Sequence, residues 1–347
     1  MKGLRKHLTP FAPDQSGAVS VLYELGGIIV ICDAGGCAGN VCGFDEPRWF
    51  THKSAVFSAG LRDMDAILGR DDRLVAKLVS AADKLEAKFA AIIGTPVPSV
   101  IGTDYRALRR MAEKKTDLPI LTVDSTGMAL SDEGAEKAYL ELFRSFAREK
   151  LPVQEGRLGV LGVNPLDLSD LKAGEKLSAA LEEQGWSQVC CYGMGAGLEA
   201  VQAASSVEKN LVVAPSGLKT AQFLEKTFGT PYEVDNPLAV RLLPEGDFSG
   251  KRVLVVQQQV TAKTLREELE SRGAAEVTCA TWFMKKGELE HRGDLRLTEE
   301  DQFEALVETG GFDVLIGDPT LWPLTTGFEG VRIPAPEFSV SGRLAEL

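Results

Sequence analysis

The sequence predicts an α/β chain of three Rossmann-like domains, each a parallel sheet flanked by helices, and three observations lead there. Beyond about residue 155, short apolar runs alternate with amphipathic helical segments, the pattern of parallel strands joined by crossover helices. Glycine and proline punctuate that alternation at Phe228-Gly229-Thr230-Pro231-Tyr232 and divide it into two units. The 347 residues suffice for two or three domains of ordinary size, and 44% hydrophobic content is that of a globular chain.

The N-terminal part mixes strands and helices less regularly. An amphipathic helix is expected over about 71–89, then a buried strand at Ala90-Ala91-Ile92-Ile93-Gly94 and another at Pro119-Ile120-Leu121-Thr122-Val123. A helix over about 132–150 is stopped by Leu151-Pro152, since proline cannot continue a helix. The first of the two later units opens on the strand Arg157-Leu158-Gly159-Val160-Leu161-Gly162-Val163. It passes a helix near 173–185, the strand Gln188-Val189-Cys190-Cys191-Tyr192, a helix near 198–204 and the strand Asn210-Leu211-Val212-Val213-Ala214. The other begins at Gly250-Lys251-Arg252-Val253-Leu254-Val255-Val256, continues through a helix at 261–272 and ends on Phe312-Asp313-Val314-Leu315-Ile316-Gly317-Asp318. The expected domains are 1–153, carrying a cysteine loop, then 154–245, then 246–347 with a tail. Beyond Leu321 the chain is rich in proline and glycine and is expected to wrap over the surface; no tandem repeat or low-complexity tract is present.

Composition narrows the function classes. Apolar stretches run to about five to eight residues, far short of the roughly 20 needed to span a bilayer, and the basic start Met1-Lys2-Gly3-Leu4-Arg5-Lys6-His7 is followed by no apolar signal core. A soluble, cytoplasmic protein is expected, in which six cysteines serve as metal ligands, catalytic groups or reduced thiols instead of disulfides. A net charge of −12 argues against nucleic-acid binding, which relies on Lys and Arg, and favours a docking partner with a basic face.

Three of the six cysteines fall within eleven residues, Cys32, Cys37 and Cys42, spaced Cys-x4-Cys-x4-Cys on a glycine-rich loop after the apolar run Gly26-Gly27-Ile28-Ile29-Val30-Ile31. Thiolates on such a loop can hold an iron-sulfur cluster, because cysteine sulfur binds cluster iron and glycine lets the backbone wrap closely. Buried free cysteine also serves as a small hydrophobe, and Cys32, which continues a strand, stands open to either role. Asp33 and Asp45 are alternative oxygen ligands or turn-solvating carboxylates. Cys190 and Cys191 point to opposite faces of one strand and cannot easily chelate one metal, so they read as packing residues, as does Cys279. Only His52 among His7, His52 and His291 lies near the loop, where an exposed turn histidine is the simpler reading. Gly193-Met194-Gly195-Ala196-Gly197 lacks the dinucleotide fingerprint, and no Walker A sequence is present.

Read in order, these segments resemble the nitrogenase component 1 superfamily, which takes in nitrogenase subunits, their assembly scaffold, and the catalytic subunits of dark protochlorophyllide, chlorophyllide and nickel-tetrapyrrole reductases. Gly35-Gly36-Cys37 resembles the family's His-Gly-Pro-x-Gly-Cys loop, whose cysteine binds an electron-relay cluster. The segment from Phe57 to Gly69 and the turn Thr95-Pro96-Val97-Pro98-Ser99-Val100-Ile101-Gly102 are similar to two further family segments, the second being Cys-x-Pro-x-x-Ile-Gly. Asn210-Leu211-Val212-Val213, Phe228-Gly229-Thr230-Pro231-Tyr232 and Gly250-Lys251-Arg252-Val253 match the later domains, so the likeness spans nearly the whole chain. It departs where Pro96 replaces a cluster cysteine, where no cysteine precedes the first helix, and where the third domain lacks the cysteine and histidine that hold the nitrogenase cofactor. Nitrogen reduction is therefore not expected.

The resemblance implies the catalytic component of a nitrogenase-like reductase, a homodimer or half of a heterodimer with a related chain. An ATP-dependent iron-sulfur reductase homodimer would supply low-potential electrons through a cluster, expected as 4Fe-4S, at Cys37, Cys42 and, third in rank, Cys32. The cluster would be either complete in one chain or shared across the dimer interface. The substrate would be a small molecule, tetrapyrrole-like or otherwise hard to reduce, held between the domains, with the 193–197 turn a candidate substrate-facing loop. The alternative is a non-catalytic scaffold or binding subunit for a metallocluster or a heterodimer partner.

Overall fold

The computed structural model describes residues 5–337. Three sheets follow one another along the chain, and every strand pair in them is parallel. The first unit runs α1 (Asp14–Leu22), β1 (Ile28–Ile31), α2 (Gly36–Asn40), a π-helical turn (Val41–Asp45), β2 (Ala55–Ser58), α3 (Asp63–Leu68), α4 (Asp71–Ala82), β3 (Ala90–Ile93), α5 (Pro96–Ile101), α6 (Tyr105–Glu113), β4 (Ile120–Val123) and α7 (Ser131–Phe146). Its strand order is β2-β1-β3-β4. β1 and β3 are buried along their whole length, which is why they read as unbroken apolar runs instead of alternating ones. Alternation still sorts their side chains: Ile28, Val30 and Cys32 enter a core with Leu74 and Leu78 of α4 and Leu108 of α6, while Ile29 and Ile31 enter a core with α1 and α7.

The second unit runs β5 (Gln154–Leu161), α8 (Pro165–Leu168), α9 (Ala173–Glu183), β6 (Gln188–Cys191), α10 (Leu198–Gln202), β7 (Val207–Val212), α11 (Leu218–Phe228) and β8 (Tyr232–Val234), in the order β6-β5-β7-β8. The third runs β9 (Arg252–Val256), α12 (Gln259–Ser271), β10 (Glu276–Thr281), β11 (Leu295–Arg296), α13 (Glu300–Gly310), β12 (Val314–Gly317) and β13 (Val331–Pro334), in the order β11-β10-β9-β12-β13. In each sheet the order reverses beside the first strand, so a crevice opens past the carboxyl ends of β1 and β3, of β5 and β7, and of β9 and β12.

Two local expectations change. The helix expected over 71–89 stops at Ala82, because the chain must straighten to reach the sheet: Lys88 N–H donates to Gly26 O at 2.9 Å, Ile28 N–H to Phe89 O at 3.0 Å, and the Phe89 ring lies where a Cβ on Gly27 would sit. The tail expected on the surface instead returns as β13, pairing with β12 from Val314↔Val331 to Gly317↔Pro334; residues 338–347 of that tail lie outside the described residues.

The units share interiors. One apolar core combines Leu22, Ile29 and Phe89 of the first with Leu161, Tyr192 and Leu224 of the second, and α7 runs through it. Leu8 and Phe11 cross to the third sheet, Phe11 stacking 5.7 Å from Trp282 and 5.2 Å from Phe283. Glu136 of α7 pairs with Lys219 of α11 at 2.6 Å and with Lys286 beyond β10, so one carboxylate joins all three units. Among the described residues no helix is long and apolar enough to cross a membrane.

Candidate functional site

The cysteine loop leaves the carboxyl end of β1 at the reversal point of the first sheet. Cys32 follows directly on the strand and keeps its pairing: its N–H donates to Ile93 O at 2.8 Å and its carbonyl accepts from Thr95 Oγ1 at 2.7 Å. Its side chain is 2% exposed and packs into the α4/α6 core. Gly35 then turns the chain at φ 123°, a left-handed value that a side chain would strain, and α2 begins. The expected open loop is thus helical, with Cys37 on α2 and Cys42 on the π-helical turn that continues it. Both thiols are half-buried, and Cys37 lies against the α1/α7 core, on the other side of the sheet from Cys32.

The two loop carboxylates brace the backbone. Asp33 accepts from Ala38 N–H at 2.8 Å and from Ser58 Oγ at 2.5 Å; Asp45 accepts from Ser16 Oγ at 2.7 Å and Asn40 Nδ2 at 2.6 Å. Burial pushes the Cys42 thiol up to about 11, helped by Glu46 and Asp33, and burial with Asp33 also raises Cys37. Cys32 is pushed up to about 12, chiefly by burial. All three are protonated thiols at neutral pH, so a metal binding here displaces protons. Among the described residues no three His, Cys, Asp or Glu side chains are grouped to hold a metal ion.

Arg48, which the sequence did not single out, fixes the turn that follows. It is 1% exposed; Nε and Nη2 both donate to Glu46 at 2.8 Å, Nη1 to Glu24 at 2.9 Å and to Gly193 O at 3.0 Å, and Nη2 to Ser20 O at 2.6 Å. Glu24 also accepts from Gly195 N–H at 3.3 Å, so the 193–197 turn of the second unit is tied to the cysteine loop. Around that loop, apolar side chains stand exposed: Phe44 on the π-helical turn, Phe57 on β2, Met64 and Ile67 on α3, Val100 (86% exposed) and Ile101 on α5. Because α2, α3 and α5 follow β1, β2 and β3, this surface surrounds the carboxyl edge of the first sheet.

The remaining candidates do not join the site. Cys190 and Cys191 enter the cores on opposite faces of the second sheet, and Cys279 is buried in the third. His7, His52 and His291 are exposed, the His52 ring standing 3.0 Å from Thr51 Oγ1.

Residues 15–242 match the family described as Nitrogenase component 1 type Oxidoreductase. The chain belongs to the nitrogenase component 1 family. Among curated relatives, the nitrogenase iron-molybdenum cofactor biosynthesis protein NifE of Clostridium pasteurianum is 27% identical over 179 residues, 51% of this chain and 38% of that protein. The protein of the same name from Bradyrhizobium diazoefficiens is 24% identical over 183 residues, 51% of this chain and 32% of that protein. The matched part is thus well under half the length of either relative. Two solved structures of nitrogenase Cp1, at pH 6.5 and pH 5, share the fold at TM-scores of 0.74 and 0.69, with 12% and 15% identity, covering 97% and 96% of this chain and 88% and 84% of theirs. This component 1 fold, three parallel sheets flanked by helices, is the one the sequence predicts.

Component 1 proteins bind metalloclusters, act with a reductase component and form oligomers. Of the three cysteines expected as ligands, this chain leaves two with access to solvent, Cys37 and Cys42. Iron-sulfur clusters of the common types take four thiolates, of which Cys37 and Cys42 would supply two.

Proposed function

We propose that this chain is the catalytic component of a nitrogenase-like two-component reductase and works as a dimer, with Cys37 and Cys42 as its ligands to an iron-sulfur cluster at the subunit interface. The pair of half-buried thiols on successive turns, ringed by exposed apolar side chains, carries the reading. Two copies bring four thiols, the set a 4Fe-4S cluster takes, and burial of Phe44, Phe57, Ile67 and Val100 against a partner would drive the association. When bound, the cluster supplies low-potential electron transfer. The protein's share is to hold the thiols in place through Arg48 and to surround them with Asp33 and Glu46, whose negative charge resists reduction and lowers the potential.

Electrons would come from an ATP-dependent iron-sulfur reductase homodimer with a basic docking face, in keeping with the net charge of −12. We take 1–153, 154–245 and 246–347 as domains, with a small molecule, tetrapyrrole-like and not dinitrogen, reduced between them in the cytoplasm. The likeness to NifE favours a second reading, a scaffold that carries a metallocluster precursor or completes a heterodimer.

Iron and acid-labile sulfide, an electron paramagnetic resonance spectrum and the solution mass, all on anaerobically purified protein, test the proposal. We expect about four irons per dimer and their loss in a Cys37→Ser, Cys42→Ser double variant, with Cys32→Ser retaining them. A protein that holds no iron after reconstitution, or holds it equally in the double variant, would overturn the cluster assignment. A cluster that no ATP-dependent reductase reduces but that passes to an apo-acceptor would establish the scaffold.

A further inference from the structure

The second sheet buries an arginine that forms no ion pair among the described residues. Arg157, on β5, is 9% exposed; its Nη1 donates to Ser206 Oγ at 2.8 Å and to Gln154 Oε1 at 3.3 Å, and its buried Nε has no partner. Among the described residues no carboxylate lies within ion-pairing distance of it. The other two buried arginines differ: Arg48 has Glu46 and Glu24, and Arg266 has Asp294. An unpaired buried charge is among the least favourable arrangements a fold can contain, which makes an absent anion the expected complement.

Three more buried polar atoms without partners lie beside it, the Tyr192 hydroxyl and both side-chain polar atoms of Asn210. Gly159, two residues along β5 on the same face, brings them close: a Cβ there would stand 2.3 Å from Asn210 Oδ1 and 3.1 Å from the Tyr192 hydroxyl. Arg157 also borders a groove of about 950 Å³, lined by Thr51 and His52 after the cysteine loop, Lys172 and Ser178 at α9, the edge strand β6, the 195–197 turn, and Glu199 and Ala200 of α10. Of the carboxylates on this groove, Glu24 is taken by Arg48 and Gly195 N–H, and Glu199 by Lys88 at 2.6 Å. Arg157 and Lys172 are the Arg and Lys side chains that line the groove.

We propose that this groove binds a small organic anion through a terminal oxyanion seated on the Arg157 guanidinium, with the buried Asn210 and Tyr192 side chains behind it. A guanidinium presents donors in a planar fork that suits a carboxylate or a phosphate alike. The site does not depend on the cluster assignment, though its wall at Glu24 is joined through Arg48 to the cysteine loop.

Calorimetric titration of the full chain with sodium succinate and with inorganic phosphate, at matched ionic strength, tests this. We expect saturable binding of at least one probe, weakened tenfold or more in Arg157→Gln and in Ala200→Phe, which adds bulk to the groove wall at α10. The probe that binds more tightly identifies the oxyanion as carboxylate or phosphate. Failure of the wild type to bind either probe saturably overturns the proposal, as does a folded variant of either kind that binds like wild type. Should Arg157→Gln not fold, Ala200→Phe decides.

Discussion

Arg48 shows how much of the candidate site one side chain can determine without being visible in the sequence. In Glu46-Pro47-Arg48-Trp49 it reads as an ordinary surface charge; only the fold brings Glu24, the Ser20 carbonyl and the Gly193 carbonyl to its guanidinium. Its loss would leave Glu46, 1% exposed, as an uncompensated buried carboxylate, the situation that costs about 3–5 kcal/mol when one member of a buried pair is removed. Arg48→Met should lower stability to urea by that amount and speed alkylation of Cys42, whose turn it holds. A variant within about 1 kcal/mol of wild type would mean that the pair contributes little. The cysteines, by contrast, were legible as residues but not in their placement: spacing alone could not tell that Cys32, just past β1, is buried in the core, while Cys37 and Cys42 are half-buried on the helical turns beyond it.

At the scale of elements, α1 and α7 touch backbone to backbone. A Cβ on Gly17 would lie 1.7 Å from Ser131 O, and one on Gly134 the same distance from Asp14 O; Asp14 N–H and Ser131 N–H donate across the pair to Ala129 O and Ala12 O. No side chain fits there, so Gly134→Ala must separate the helices or bend one. Overpacking of this kind costs about 1–3 kcal/mol and more where backbone has to move; we expect a lower melting temperature at least of that order, and an unchanged one would show that the helices are not in contact. The helix α1 escaped the sequence reading because all nine of its residues are buried, polar ones included, so it carries no amphipathic period. Strands β8 and β11 offer too few residues for a period, and β2, an edge strand no longer than β1, is half-exposed and lacks an unbroken apolar run, whereas β1, β3, β5 and β9, central and apolar, were plain.

At the scale of the whole molecule, acidic groups meet where the units join. Asp167, which accepts from Asn164 Nδ2 and Ser216 Oγ at 2.6 Å each, is pushed by burial up to about 6; Asp132, at the start of α7 and accepting from Met284 N–H of the third unit, is pushed up to about 7, again chiefly by burial. A carboxyl raised above its unfolded value lends stability that is complete below about pH 4 and is lost as pH rises through the folded value. Asp167→Asn keeps the acceptor for Asn164 and Ser216 and removes the titration. Its stability relative to wild type should therefore rise between about pH 4 and 6 and level off above, measured by urea unfolding across that range. A difference that does not change with pH would show that Asp167 is ionised in the folded protein.

By itself the sequence determined the fold class, the order of the central strands and crossover helices, the family, and the loop that carries the accessible thiols. Those features are written in local periodicity and spacing, which the backbone obeys wherever it lies. Only the tertiary structure decided that Leu8 and Phe11 serve the third sheet, that Glu136 joins three units, that Arg48 ties the cysteine loop to the 193–197 turn, and that Arg157 is buried without a carboxylate. Each of these depends on residues far apart in the chain meeting in a low-dielectric interior, where the energy of a charge is set by its neighbours in space and not by those in sequence.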